Sequence, residues 1–385
     1  MNSSAVPERI VVLAMVSDTW TDTLRRGFYS TADQLFLSMM ADSRVSRIVV
    51  ADHPRGLLSQ AVRRLRGDRP APHTPTVDGV RPLTLRTGLP NTSRAVTLRY
   101  RLYDRQIQRC AAKRKTSAPA LVTFNLWHAA YGDLTGYSRV VFYAQDDERE
   151  IPRLRHLRDR ITDAYRAIAA RGIPVCAVSA ELLARIVPDG VGHVIPNGVD
   201  PTLWEQPAQP STSFDAGGKA RAVYVGTVDS RLDTDAVRSL VEAGFCVTLA
   251  GPVRDEEVVR DLRGITGLTL TGNLSRDVIP GLLSGADVCF LAHHRTPLTE
   301  AMSPLKLFEY LCSGTPVVAT ALPPFANDPD LAGKLVLVNP EDDFGERARA
   351  AASRGRLSES ERLALVEAMS WRTRHAPLID FLVGA

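Results

Sequence analysis

Residues 303–320 read SPLKLFEYLCSGTPVVAT. Residues 304–311 have the pattern of a helix, with Pro304 in the first turn, where a missing N–H costs nothing. Leu305, Phe308 and Leu311 recur at the spacing of one buried stripe, which sets Lys306 and Glu309 together, three residues apart, on the other face. Ser313-Gly314 ends the helix, and 316–319 (PVVA) is a short apolar run suited to a buried parallel strand. Such a helix start can hold a nucleoside diphosphate. The backbone N–H groups of Ser303 and Leu305, on either side of Pro304, and the helix dipole attract the anion. Lys306 adds a point charge, and the Glu309 carboxylate can accept from both ribose hydroxyls. The competing account is a surface helix with a solvated Lys–Glu pair; the adjoining GTPVV turn favours the ligand site.

Outward from this stretch, apolar strand patterns alternate with helical ones through the C-terminal half. Strands are expected at 222–225, 245–250, 268–270, 287–292, 316–320 and 334–338, with helices between them. The N-terminal half repeats the alternation, with strands at 10–16, 45–51, 121–127, 140–144 and 174–179. Residues 201–218 (PTLWEQPAQPSTSFDAGG) lack periodicity and read as a linker. The expected organisation is thus α/β: domain 1–200, linker 201–218, domain 219–370 and a terminal segment 371–385. Ligands of such doubly wound sheets bind beyond the carboxyl ends of the strands. Loop 17–22, after the first strand, is acidic and has no Gly-rich phosphate cradle; Asp18 stands in it as a candidate base.

The 385 residues suffice for two domains, and 44% hydrophobic with 23% charged residues describes a globular chain. No apolar run approaches 18 residues, and the N-terminus has no basic leader pattern, so a cytoplasmic protein is expected. Five scattered cysteines make no C-x-x-C pair and imply neither disulfides nor zinc. Charge is uneven: residues 1–200 carry 29 Lys and Arg against 19 Asp and Glu, and the remainder 18 against 24. A basic first half suits an anionic acceptor or peripheral contact with the inner face of a membrane, although Arg-rich usage throughout the chain is an equal explanation. No nucleic-acid motif accompanies the charge, so no nucleic-acid partner is expected.

The stretch SPLKLFEYLCSGTPVVAT, with IPNGVD at 195–200 and YVGT at 224–227, resembles the nucleotide-sugar signature of GT-B glycosyltransferases, notably family 4 and exopolysaccharide enzymes. The resemblance implies two Rossmann-like doubly wound parallel-sheet domains facing a central cleft. The second would bind a nucleoside diphosphate sugar and the first the acceptor, with the chain's end crossing back to the first. It implies transfer of a sugar to a hydroxyl or amine of a lipid-linked, polysaccharide or secondary-metabolite acceptor. The sugar nucleotide would be the co-substrate, with no cofactor and no metal. On the donor side the implied residues are Thr227, Arg231, Leu274, Ser303, Pro304, Leu305, Lys306 and Glu309. The family's paired-glutamate motif would place its first member at 301, which is Ala, so Glu300 is the substitute. Asp233-Thr234-Asp235 matches a metal motif by letter but is better explained as helix capping.

On the acceptor side, His128 lies where retaining relatives carry a histidine near the sugar. Asp146, in YAQDD, resembles the general base of inverting exopolysaccharide glucuronosyltransferases, and Asp147 beside it should raise its proton affinity. A nucleotide-sugar epimerase and a non-catalytic nucleotide-sugar-binding protein are the alternatives.

Overall fold

The computed structural model describes residues 9–15, 19–56, 61–62, 65, 86–87, 93–111, 118–205 and 218–384. Asp18, most of the basic stretch 57–66, the Pro-rich 67–82 and linker residues 206–217 lie outside them. The chain divides into two compact units, Met1–Pro196 with His375–Ala385, and Asn197–Arg374.

In the first unit, strands β1 (Ile10–Ala14), β2 (Arg47–Ala51), β5 (Ala120–Thr123), β6 (Arg139–Ala144), β7 (Val175–Ala177) and β8 (Gly192–Val194) form one sheet. Its order is β2-β1-β5-β6-β7-β8, parallel throughout. All five residues of β1 are buried, which is why it reads as an unbroken apolar run rather than an alternation. Val12 pairs with Val49 on one side and Leu121 on the other. A short parallel pair, β3 (Arg55–Gly56) and β4 (Arg86–Thr87), stands apart from this sheet.

One expectation here is corrected. The strand begun at 121 ends at Thr123, and Leu126–Tyr131 is a helix. Asn125 starts it, its side chain accepting from the His128 N–H, so the polar residue that interrupts the apolar run acts as an N-cap. His128 therefore sits in a helix and not at a strand end. The final helix, Trp371–Val383, contributes its residues from His375 onward to this unit: the Ser38 hydroxyl bonds His375 Nδ1 at 2.9 Å, and Arg44 pairs with Asp380 at 2.7 Å.

In the second unit, β9 (Arg221–Val225), β10 (Cys246–Ala250), β11 (Leu268–Gly272), β12 (Val288–Leu291), β13 (Val317–Thr320) and β14 (Val336–Val338) form a parallel sheet in the order β11-β10-β9-β12-β13-β14. Strand order reverses between β9 and β12. Doubly wound sheets take their ligands at the carboxyl ends of the strands at such a switch point, and here loops 226–233 and 292–304 follow those two strands.

The helix of the signature is Leu305–Cys312, with Pro304 as its N-cap rather than in its first turn. It is more enclosed than one stripe predicts. Leu307, Phe308, Tyr310, Leu311 and Cys312 are all buried, and Leu305 only partly. Gly314, at φ +72°, follows the last turn and lets the chain reverse into β13.

Tyr310 joins this helix to β9. Pairing of β12 with β9 stops at Cys289–Val223. Beyond it, the Tyr310 hydroxyl accepts from the Val225 N–H at 2.6 Å and donates to the Val225 carbonyl at 3.0 Å, taking the place of a further rung. Tyr310→Phe leaves two buried backbone groups unpaired, at about 1–3 kcal/mol each. The expected result is a fall in Tm of several degrees by calorimetry; an unchanged Tm would show that the clamp contributes nothing.

Candidate active site

The carboxyl ends of β9 and β12 carry most of the expected donor residues. Loop 226–233 begins at Gly226, where a Cβ would lie 2.7 Å from the Tyr224 hydroxyl, so a side chain there would have to displace that ring. Thr227 offers its carbonyl to that hydroxyl at 3.0 Å. Arg231 folds back onto Asp229 in a two-pronged pair, Nε–Oδ1 2.9 Å and Nη2–Oδ2 2.7 Å. Burial works against the Asp229 charge, but Arg231 outweighs it and holds the carboxyl below the usual range. Loop 231–233 is laced to 292–294: the His294 N–H donates to the Arg231 carbonyl at 2.8 Å, and the Asp233 N–H to the Ala292 carbonyl at 3.0 Å. The Asp233 side chain caps helix Thr234–Glu242 by accepting from the N–H groups of Asp235 and Ala236.

On the signature helix, Lys306 Nζ meets Glu309 Oε2 at 2.8 Å, with only 19% and 11% of the two side chains exposed. This is not a solvated surface pair. Both pairs lie about Tyr224, whose hydroxyl is pushed up to about 12, first by burial, with the charges of Arg231, Asp229 and Lys306 also bearing on it. The approach to the helix is latched by Asn197 of the IPNGVD motif. Its backbone N–H donates to Ser303 Oγ at 3.2 Å and its side-chain amide to the Ser303 carbonyl at 2.5 Å. Ser303 and Pro304 are buried and Leu305 half-buried.

Lys306, Glu309, Ser303, Pro304, Leu305, Arg231 and Thr227 thus share one end of one sheet. Glu300 is half-buried on the 3-10 turn Thr299–Ala301, ahead of Ser303. Leu274 follows edge strand β11 and packs partly against the unit's core. The sequence reading missed Asp229, the partner of Arg231, and His293, which is 3% exposed and follows β12. An arginine two residues after an aspartate was a legible sign of the first. Nothing in the sequence distinguished the second.

In the first unit, His128 is fully buried. Its Nε2 lies 2.7 Å from Asp104 Oδ1 and its Nδ1 3.1 Å from Thr123 Oγ1, between the rings of Tyr100 and Tyr103. The Asp104 bond joins helix Leu126–Tyr131 to helix Ser93–Ala111, and the Thr123 bond ties it to the end of β5. Asp146 is exposed in the loop after β6. Asp147 is buried and bound by Arg149, with both contacts at 2.8 Å, and by Arg185 at 3.6 Å, so its charge is taken up within the fold. A raised proton affinity is found at the next residue, Glu148, whose backbone N–H donates to the Tyr165 hydroxyl at 3.0 Å. Its carboxyl is pushed up to about 7, first by burial and then by the Asp146 charge, with Arg153 opposing and Asp147 adding.

Two parallel sheets with a switch-point site in the second define the class: the chain has the GT-B fold. Residues 221–354 match the family described as Glycosyl transferases group 1. TuaH of Bacillus subtilis (strain 168), named as a teichuronic acid biosynthesis glycosyltransferase, is 26% identical over 137 residues. That match spans 34% of this chain and 34% of that protein, about a third of the curated relative's length. Among solved structures, sucrose-phosphate synthase from Thermosynechococcus elongatus superposes with a TM-score of 0.65 at 16% identity, covering 97% of this chain and 98% of that one. An E. coli trehalose-6-phosphate structure, solved with UDP-2-fluoro glucose bound, gives 0.61 at 11%, covering 97% and 99%.

Glu148 generates a pH prediction. The folded carboxyl keeps its proton to about pH 7, whereas an unfolded glutamate releases it near 4.5. Between those values the native state binds more protons, so this residue's contribution to stability falls as pH rises. Glu148→Gln is expected to melt higher than the wild type at pH 8 and at the same temperature at pH 4. Equal melting at both values would contradict the assignment.

Proposed function

We propose that this chain is a glycosyltransferase that moves a sugar from a nucleoside diphosphate sugar to a hydroxyl or amine acceptor. The observation that carries the reading is the largely buried Lys306–Glu309 pair at the switch point, on the signature helix and in the unit with Arg231. In the reaction the acceptor oxygen attacks the anomeric carbon, the bond from that carbon to the diphosphate oxygen breaks, and the nucleoside diphosphate leaves with the electron pair. Charge builds on the leaving diphosphate, where fixed cations and backbone dipoles act most strongly. Lys306 and Arg231 are assigned to that charge. Each is held by its own carboxylate in the free protein, so the donor must compete with Glu309 and Asp229 for them. Glu309, once relieved of Lys306, is assigned to the ribose hydroxyls. Thr227, Ser303, Pro304 and Leu305 line the approach of the diphosphate, Leu274 is assigned to the base and Glu300 to the sugar.

The family match over 221–354 supports sugar transfer. UDP-2-fluoro glucose in the E. coli neighbour makes a uridine diphosphate sugar the first donor to test, and the TuaH name favours an anionic polysaccharide acceptor. Helix Ser93–Ala111 adds an exposed row of Arg94, Arg101, Arg105 and Arg109 along one face, beside exposed Leu98, suited to an anionic or lipid-linked acceptor and to peripheral membrane contact. Among the described residues no helix is long and apolar enough to cross a membrane. If transfer inverts the sugar, the acceptor's proton passes to the carboxylates of the loop after β6, Asp146 first. No metal is assigned a role.

The test is a thermal-shift screen with UDP, GDP, ADP and TDP and their common sugars, without added metal. At ligand near 100 times Kd the preferred nucleotide should stabilise by about 2.7 kcal/mol. Lys306→Ala is expected to weaken that nucleotide about 10-fold or more while the unliganded Tm stays within a few degrees. An unchanged Kd in the variant would overturn the assignment of Lys306, and no response to any nucleotide would overturn the reading itself.

A further inference from the structure

We propose that His293 is a donor-site residue, a neutral imidazole that completes its hydrogen bonds with the diphosphate and the adjoining sugar hydroxyl when the sugar nucleotide binds. The inference rests on the donor site argued above and adds a member that neither sequence pattern nor family match assigns.

His293 follows β12 at the switch point, and its backbone is held firmly. The N–H donates to Thr320 Oγ1 at 3.2 Å, and the residue is bridged to Leu232 in antiparallel sense. Arg231, next in the chain to Leu232, is thereby kept one position from the imidazole. The Tyr224 ring, which also feels the charge of Lys306, lies 6.2 Å away, nearly edge-on. The ring is 3% exposed, and among the described residues neither Nδ1 nor Nε2 has a hydrogen-bond partner.

A buried polar group without partners is costly, and a fold that retains two such atoms on one ring calls for a reason. Most buried rings here are served: His128 has both nitrogens bonded, and His375 one. The charged groups about His293 are Arg231, Asp229 and His294, with Asp233 4.0 Å from His294. Burial, then Arg231, pushes the imidazole down to about 3, and Asp229 only partly opposes them. The ring is therefore neutral at working pH, with one N–H donor and one acceptor nitrogen. That combination suits the boundary between a phosphate oxygen, which only accepts, and a sugar hydroxyl, which can donate. A cation there would add charge to Arg231 without the acceptor.

The experiment measures binding of UDP, GDP, ADP and TDP and of UDP-glucose to the full chain, by titration calorimetry and thermal shift, for wild type, His293→Phe and His293→Gln. Phe keeps a planar ring and removes both polar atoms; Gln restores a donor and an acceptor. His293→Phe is expected to melt at or above the wild-type temperature, because the unpaired atoms are gone, yet to bind the preferred nucleotide about 10-fold more weakly. His293→Gln should recover part of that affinity. The opposite signs of the two effects separate a ligand-binding residue from a structural one, which would lower stability and leave the affinity of the folded protein intact. Wild-type affinity in His293→Phe overturns the proposal while leaving the donor reading in place. Absence of nucleotide binding in the wild type overturns both.

Discussion

The Tyr310 hydroxyl makes two hydrogen bonds with the backbone of Val225, and the site depends on that junction. Parallel strands on either side of a switch point diverge at their carboxyl ends, which opens the crevice but leaves backbone groups of β9 without a neighbour. Filling them from a helix side chain fixes the start of that helix relative to loop 226–233. Lys306 and Glu309 on one side, and Arg231 on the other, inherit their placement from it. Asn197 holds the same approach from the opposite direction through Ser303. The IPNGVD and SPLKLFEY motifs, about a hundred residues apart in the chain, are therefore parts of one mechanical unit.

The electrostatics of this end are of a waiting site. Each cation assigned to the diphosphate is neutralised by a carboxylate within 3 Å. This spares the fold two uncompensated, partly desolvated charges. Under the proposed assignment, recognition would be an exchange of partners rather than simple attraction, with affinity set by how much better a diphosphate satisfies Arg231 and Lys306 than Asp229 and Glu309 do. His293 follows a different logic. It keeps polar atoms without partners among the described residues, and its neutrality comes from burial beside a guanidinium.

Within the first unit, neighbours in sequence have opposite fates. Asp146 reaches solvent, Asp147 is consumed by two arginines, and half-buried Glu148 is desolvated enough to hold its proton near neutrality. A run of three acidic residues carries no sign of this division. His128 shows the same limit: a histidine after an apolar run has the appearance of a strand-end ligand, but Asn125 turned the chain into a helix and Asp104 and Thr123 took both ring nitrogens.

What the sequence determined by itself was the alternation of apolar runs with amphipathic segments, which local periodicity encodes, and hence two doubly wound sheets. It also determined the chemistry of the signature helix, because Lys306 and Glu309 lie one turn apart wherever that helix goes. Tertiary structure alone decided which acidic residues reach solvent, how deeply the Lys–Glu pair is enclosed, and that His293 stands beside Arg231. Those outcomes depend on burial and on partners distant in the chain. Desolvation and pairing are properties of the assembled environment, and no local pattern of residues records them.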